Sequence, residues 1–181
     1  MYVMGVDPGT NYCGVAIFEI DDKTFKIKSL ENMLVNLTKP KYDIENSNLL
    51  FPRLNILYKT FTNIYKDYDI YWLAIEAAFI NRLRPAAYGP IVTSIYCIKK
   101  AFLDSYNLNN IVEYPPTVVK QSISEYGQAT KDGMYDAVNG ILELKHLFNI
   151  DKISEHEIDA IGMGYTLIKQ IRNTPEILIM K

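Results

Sequence analysis

The chain has 181 residues, 49% of them apolar, and its 19 basic and 21 acidic residues leave a net charge of −2. That length fits one domain, residues 1–181, large enough for a single packed core without staples. The composition excludes a disordered or low-complexity chain, and the charge excludes a uniformly basic surface, although a basic face beside an acidic centre would vanish in the sum.

No run of about 18 apolar residues occurs, so no membrane-spanning helix and no membrane partner are expected. The opening Met1-Tyr2-Val3-Met4-Gly5 reads as the start of a strand, which leaves no room for a signal or transit peptide. Cys13 and Cys97 both sit among apolar neighbours and read as reduced core thiols, the usage of a cytoplasmic protein.

In chain order, residues 2–7 and 12–20 read as strands joined by the turn Pro8-Gly9-Thr10-Asn11. Alternation over Phe25-Lys26-Ile27-Lys28-Ser29-Leu30 predicts a third strand and hence an antiparallel meander. From Asn48 to about Asp67 apolar residues recur at helical spacing. The run 71–76 is apolar throughout and predicts a central strand covered on both faces. A helix from about Ala86 or Ile91 to Ser105, a strand at 111–114, and helices at 117–126, 132–148 and 155–172 complete the pass. Three antiparallel strands followed by alternating helices and strands predict an α/β sheet with helices on both faces.

Three carboxylates stand out against this pattern. Asp7 ends the first strand, Glu76 ends the fourth, and Asp159 lies within the otherwise core-facing Ile158-Asp159-Ala160-Ile161. A buried carboxylate is costly unless compensated, and a divalent cation compensates it well. Ligands in α/β sheets gather at the carboxyl ends of strands, where Asp7 and Glu76 fall. Acids converging without basic partners point to a magnesium site fit for phosphodiester chemistry.

Ser154 followed by Glu157 is a capping box that starts the last helix and gives Glu157 a structural role. His156 and Asp159, three residues apart, then share one face of its first turn, where the helix's positive end favours an ionised aspartate. Lys120 and Lys131, in the stretch from Tyr114 to Lys131, read either as a solvated face or as phosphate contacts. In Phe79-Ile80-Asn81-Arg82-Leu83-Arg84-Pro85, Arg82 and Arg84 suit phosphates and Phe79 suits an unpaired base, or else the core.

Taken in order from Tyr2 to about Lys169, these segments resemble the RuvC-type Holliday junction resolvases of the RNase H-like nuclease superfamily. Gly5-Val6-Asp7-Pro8-Gly9-Thr10 looks like that family's first-strand motif, and Ile75-Glu76-Ala77-Ala78-Phe79 like its second. Tyr114-Pro115-Pro116 through Gly127-Gln128-Ala129-Thr130-Lys131 resembles the segment with two DNA-contacting lysines. His156-Glu157-Ile158-Asp159-Ala160-Ile161-Gly162 looks like the closing helix. Ala77 replaces a glutamine common in the family, and Pro90 falls in the helix after the first basic loop. The tyrosine-, asparagine- and lysine-rich composition suits a phage or AT-rich bacterial member.

The resemblance implies a mixed five-stranded RNase H-like sheet, three antiparallel strands then two parallel, in a single nuclease domain. It implies an endonuclease that cuts four-way junctions by paired symmetric nicks, without a small-molecule cofactor, in a bacterial or host cytoplasm. Asp7, Glu76 and Asp159 would hold two Mg²⁺ ions about 3.5–4 Å apart, with Mn²⁺ as a substitute and His156 orienting water or joining the ligands. Phe79, Arg82, Arg84, Lys120 and Lys131 would contact DNA. Two nicks imply a homodimer, whose contact could use Ile91, Ile95, Ile98 and Phe102 unless these pack in the core. Rival readings are a nuclease of the same fold acting on flaps, forks or RNA–DNA hybrids, a junction-binding protein without catalysis, and an ATP-binding fragment of the actin-like fold, whose phosphate loop shares the Asp-Pro-Gly-Thr turn.

Overall fold

Strand parity decides where everything in this molecule goes. The computed structural model describes residues 1–38, 50–80, 82–83, 85–106, 110–124, 131–149 and 152–174. Five strands, β1 (Tyr2–Asp7), β2 (Tyr12–Ile20), β3 (Ile27–Asn36), β4 (Ile70–Glu76) and β5 (Ile111–Tyr114), form one sheet in the order β3-β2-β1-β4-β5. The pairs β3–β2 and β2–β1 are antiparallel, and β1–β4 and β4–β5 are parallel. This is the expected mixed sheet.

Successive side chains of a strand point to opposite faces. On one face Val3, Ala16, Phe18, Trp72 and Ala74 pack under helix α5 (Glu155–Asn173), with α3 (Pro116–Ser124) and α4 (Lys131–Asn139) beside it. On the other, Met4, Val6, Val15, Ile17, Leu73 and Ile75 pack under α1 (Leu50–Asp67) and α2 (Tyr88–Tyr106). The central strands are therefore apolar on both sides, as the run 71–76 predicts.

Ile95, Ile98 and Phe102 belong to this second core and are buried against it, with Ile91 half-buried at its edge. Ile95, Ile98 and Phe102 are therefore unavailable for a subunit contact. Pro90 lies in the first turn of α2, where a proline costs no helical hydrogen bond. Cys13 is buried, and the half-buried Cys97 Sγ donates to the Leu54 carbonyl at 3.2 Å; both are free thiols. Among the described residues no helix is long and apolar enough to cross a membrane.

Most boundaries fall within about a residue of the sequence reading, and three differ more clearly. The third strand begins at Ile27, not Phe25, because Phe25 sits at φ 54° in a turn that Asp21 closes by accepting from the Lys23 and Thr24 amides. It then continues to Asn36, since an edge strand with mixed polarity lacks a clear alternation. The predicted helix 132–148 stops at Asn139: the Gly140 amide caps it by donating to Asp136, and single turns follow through Leu147. The ends of the predicted helices at 48–49 and 125–126 lie outside the described residues.

Candidate active site

Asp7 shares parity with Val3 and Gly5, and Glu76 with Trp72 and Ala74, so both carboxylates fall on the α5 face of the sheet. The parallel register pairs Val6 with Ile75, which sets Asp7 and Glu76 side by side at the carboxyl ends of neighbouring strands. The third acid comes from α5. The capping box anchors that helix: the Ser154 side chain accepts from the Glu157 amide, and Glu157 accepts from the Ser154 amide at 3.0 Å. Asn32 of β3 adds a bond of 2.6 Å to the same Glu157 carboxylate. Glu157 is buried in this structural role, which leaves His156 and Asp159 facing the strand ends.

Two glycines let the helix come this close. A methyl group on Gly5 would lie 2.1 Å from the Ala160 carbonyl oxygen, and one on Gly14 would lie 1.9 Å from that of His156. Gly14 is also the register partner of Asp7. The His156 Nδ1 thereby reaches Asp7 Oδ2 at 2.6 Å, and the imidazole stacks on Tyr12 with ring centroids 5.9 Å apart.

Burial pushes the Glu76 carboxyl up to about 9, with the Asp7 charge and a hydrogen bond to Asp7 adding to the rise. Burial and then Asp7 raise Asp159 to about 6. His156 is raised as well, first by its bond to Asp7. Lys120 pulls both Glu76 and Asp159 down, so its ammonium lies within electrostatic reach of the acids. The group is thus short of positive charge: His156 and then Lys120 are the cations that lower Asp159, against the charges of Asp7 and Glu155.

A divalent cation suits this donor set chemically, because it would replace the proton on Glu76 and ionise all three acids. In their present arrangement, with Asp7 bonded to His156 and Glu76, no three His, Cys, Asp or Glu side chains among the described residues stand at ready-made ligand spacing. All three acids nevertheless interact electrostatically, with Asp7 raising both Glu76 and Asp159.

Two open clefts meet at Glu76 and Phe79. One, of about 420 Å³, is lined by Pro8, Ala77, Tyr88, Ile91, Ile95 and His156 among others; the second, of about 220 Å³, by Val119, Lys120, Met134, Asp159 and Met163. Phe79 is 56% exposed on their shared wall, so it is outside the core. Arg82 lies exposed in the turn beyond it. Arg84 and the Lys131 side chain lie outside the described residues, although Lys131 opens α4. The sequence reading missed Tyr12 and the Arg53 contact that braces the turn after Asp7, in which the guanidinium donates to the Thr10 carbonyl and to Asn11 Oδ1. Strand parity carried the first signal; nothing in the sequence announced the second.

The sheet order, with a long helix across its α5 face and carboxylates at the ends of β1 and β4, defines a protein of the RNase H-like class. A family model described as "Crossover junction endodeoxyribonuclease RuvC" matches residues 3–166. The chain belongs to that family. It is 29% identical over 179 residues to the crossover junction endodeoxyribonuclease RuvC of Clostridioides difficile (strain 630), covering 96% of each chain. It is 30% identical over 148 residues to that of Ehrlichia canis (strain Jake), covering 80% of this chain and 85% of the other. The fold matches T. thermophilus RuvC in complex with Holliday junction substrate, with a TM-score of 0.74, 21% identity and 96% of each chain covered.

Proposed function

We propose that the protein is a metal-dependent endodeoxyribonuclease that resolves four-way DNA junctions by paired symmetric nicks. The observation that carries this reading is the meeting of Asp7, Glu76 and Asp159 at the carboxyl ends of β1 and β4, with Glu76 and Asp159 raised by burial and then by the Asp7 charge. Family membership supplies the reaction class, and a relative of the same fold bound to a Holliday junction supplies the substrate class. The rivals on flaps, forks and RNA–DNA hybrids share the acids, so the choice among substrates rests on the family.

Asp7, Glu76 and Asp159 would hold Mg²⁺, two ions per site, which would stabilise charge on the scissile phosphate and acidify an attacking water. Asp7 keeps the proton of His156 on Nδ1, so Nε2 is the ring nitrogen left to orient water or exchange a proton. Lys120 supplies a cation beside the acids for a backbone phosphate, and Phe79 offers a ring face to an unpaired base at the wall between the clefts. Arg82, Arg84 and Lys131 would add further phosphate contacts. Two copies with two such sites would place one nick on each of two strands.

Synthetic four-way junctions, flaps, forks and RNA–DNA hybrids, incubated with Mg²⁺ and separated by product length, test the reading. Symmetric nicks in the junction are expected. Cleavage confined to hybrids or flaps would assign the chain to a different substrate, and binding of junctions without any cleavage would make it a non-catalytic binder.

A further inference from the structure

We propose that Tyr12 is a positioning residue that holds the His156 imidazole in its working orientation. The inference rests on the reading of His156 as a group acting at the scissile phosphate. Tyr12 opens β2 and has the parity of Gly14, Ala16 and Phe18, the row of β2 that lies under α5. Gly14 gives the backbone of His156 its seat, and two residues earlier Tyr12 reaches over the start of the same helix. The two rings lie 27° from parallel with centroids 5.9 Å apart.

Two contacts therefore hold the imidazole, on a backbone that Gly14 seats: Asp7 through Nδ1, and Tyr12 against the ring face. The first sets the tautomer. A single hydrogen bond, however, leaves the ring free to rock about the Nδ1–carboxylate axis, and a stacked aromatic face removes that freedom. What remains is one direction for Nε2. Tyr12 is 37% exposed and belongs to neither core, so its truncation should leave the fold intact. The stack needs a ring and no hydroxyl, so phenylalanine should serve and alanine should not.

The test uses the full chain and the variants Tyr12→Ala and Tyr12→Phe, with two readouts. Single-turnover cleavage of a saturating four-way junction gives the rate, and equilibrium binding of the same junction in Ca²⁺ gives the affinity. Tyr12→Ala should lower the rate by about 10–100-fold, the scale set by a misplaced group, while leaving affinity unchanged. Tyr12→Phe should restore the rate. The second readout is the ring-proton spectrum of His156 in metal-free protein, simple to assign because His146 is the only other histidine. Tyr12→Ala should remove the upfield ring-current shift, and Tyr12→Phe should keep it.

An unchanged His156 spectrum in Tyr12→Ala would overturn the stack, whatever the protein cleaves. A full cleavage rate in Tyr12→Ala would overturn the positioning role, and a loss of affinity at constant rate would make Tyr12 a DNA contact instead. Failure of the phenylalanine variant would put the function in the hydroxyl and overturn the proposal. A wild-type protein that cleaves no nucleic acid overturns the nuclease reading and with it the catalytic use of the stack, whereas the spectrum still reports the stack itself.

Discussion

Gly5 of β1 and Gly164 of α5 meet backbone to backbone: a methyl group on Gly5 would lie 2.5 Å from the Gly164 nitrogen. On the helix side, a methyl group on Gly164 would strike the Phe18 ring at 2.4 Å. The distance between strand and helix that these glycines permit is what carries Asp159 and His156 to Asp7.

Gly5→Ala should therefore act on stability and on cleavage together. The obstacle is the Ala160 carbonyl, which is backbone and cannot rotate aside, so α5 must move outward. Overpacking of this kind costs about 1–3 kcal/mol, a fall of roughly 2–4 °C in Tm per kcal/mol for a chain of this size. Cleavage should fall further than the stability loss explains, because the acids separate. Gly89→Ala is the control: nothing lies within 4 Å of the added methyl, and Tm should hold or rise slightly. A Gly5→Ala protein with wild-type Tm and activity would show that the contact does not position the site.

This contact also marks how far the sequence could be read. Asp7, Glu76 and Asp159 were legible because each is a charge in or at the end of an apolar run, and parity then fixes the face on which each strand carboxylate points. The five strands were legible for the same reason, apart from β3, whose edge position blurs the alternation. Helix α4 was overextended because Leu144 and Leu147 continue a helical spacing past Gly140 in what are separate turns. The close approach at Gly5 and Gly14 is a pairwise property of two elements, and one strand's sequence does not contain it. The Arg53 brace on the turn after Asp7 spans more than 40 residues and is likewise invisible locally.

Protonation gives a second prediction, with its sign fixed by raised values. In the metal-free fold Asp159 titrates at about 6 and Glu76 at about 9, against an ordinary carboxylate near 4. The native state therefore binds protons that the unfolded chain has released. The stability they contribute is complete below about pH 4 and falls as pH rises through 6 and towards 9. His156, also raised, adds to the same slope near neutrality. Glu143 and Asp104 are lowered and act only at the acid end. Tm measured in a chelator should fall from pH 5 to pH 9, and Mg²⁺ should restore it most at high pH by favouring the ionised acids. Glu76→Gln should flatten the decline and reduce the Mg²⁺ effect. A Tm that rises steadily over that range would contradict the buried-carboxylate account.

Asp7→Asn tests the centre of the site. The amide keeps the shape but removes the charge that Glu76, Asp159 and His156 all sense. Junction cleavage in Mg²⁺ should disappear, with binding largely retained. The His156 value should drop toward its ordinary range, because its first cause is the Asp7 bond. Nicking at a near wild-type rate would remove Asp7 from the chemistry.

Lys120 lowers both Glu76 and Asp159, which puts its charge where a phosphate on the acids would feel it. Lys120→Ala and Lys131→Ala should each weaken binding to every branched DNA. Each should also flatten the slope of log affinity against log salt by about 0.9, one released counterion per lost contact. Loss of affinity for one sequence only, or an unchanged slope, would mean that the lysine touches no phosphate.

The last prediction concerns how two sites come together. With Ile95, Ile98 and Phe102 committed to the core, the face of α2 left outside carries Val92, Tyr96 and Leu103, 38%, 65% and 39% exposed. Phe51 at the start of α1 is 72% exposed, and between it and Tyr96 runs a groove of about 390 Å³ lined also by Leu54, Tyr58 and Cys97. Exposed apolar side chains grouped in this way suit a subunit contact, although Asn55, Thr93 and Lys100 also line the groove, and the proposed homodimer would set this patch against its own copy. Tyr96→Glu should turn a dimer into a monomer in light scattering at micromolar concentration. The unfolding free energy at low concentration should stay within about 0.5 kcal/mol of wild type, as expected for an exposed position. The monomer should still nick one strand, with the second nick no longer coupled to the first. A wild-type protein that is monomeric, or a Tyr96→Glu protein that stays dimeric, would place the subunit contact elsewhere or remove it.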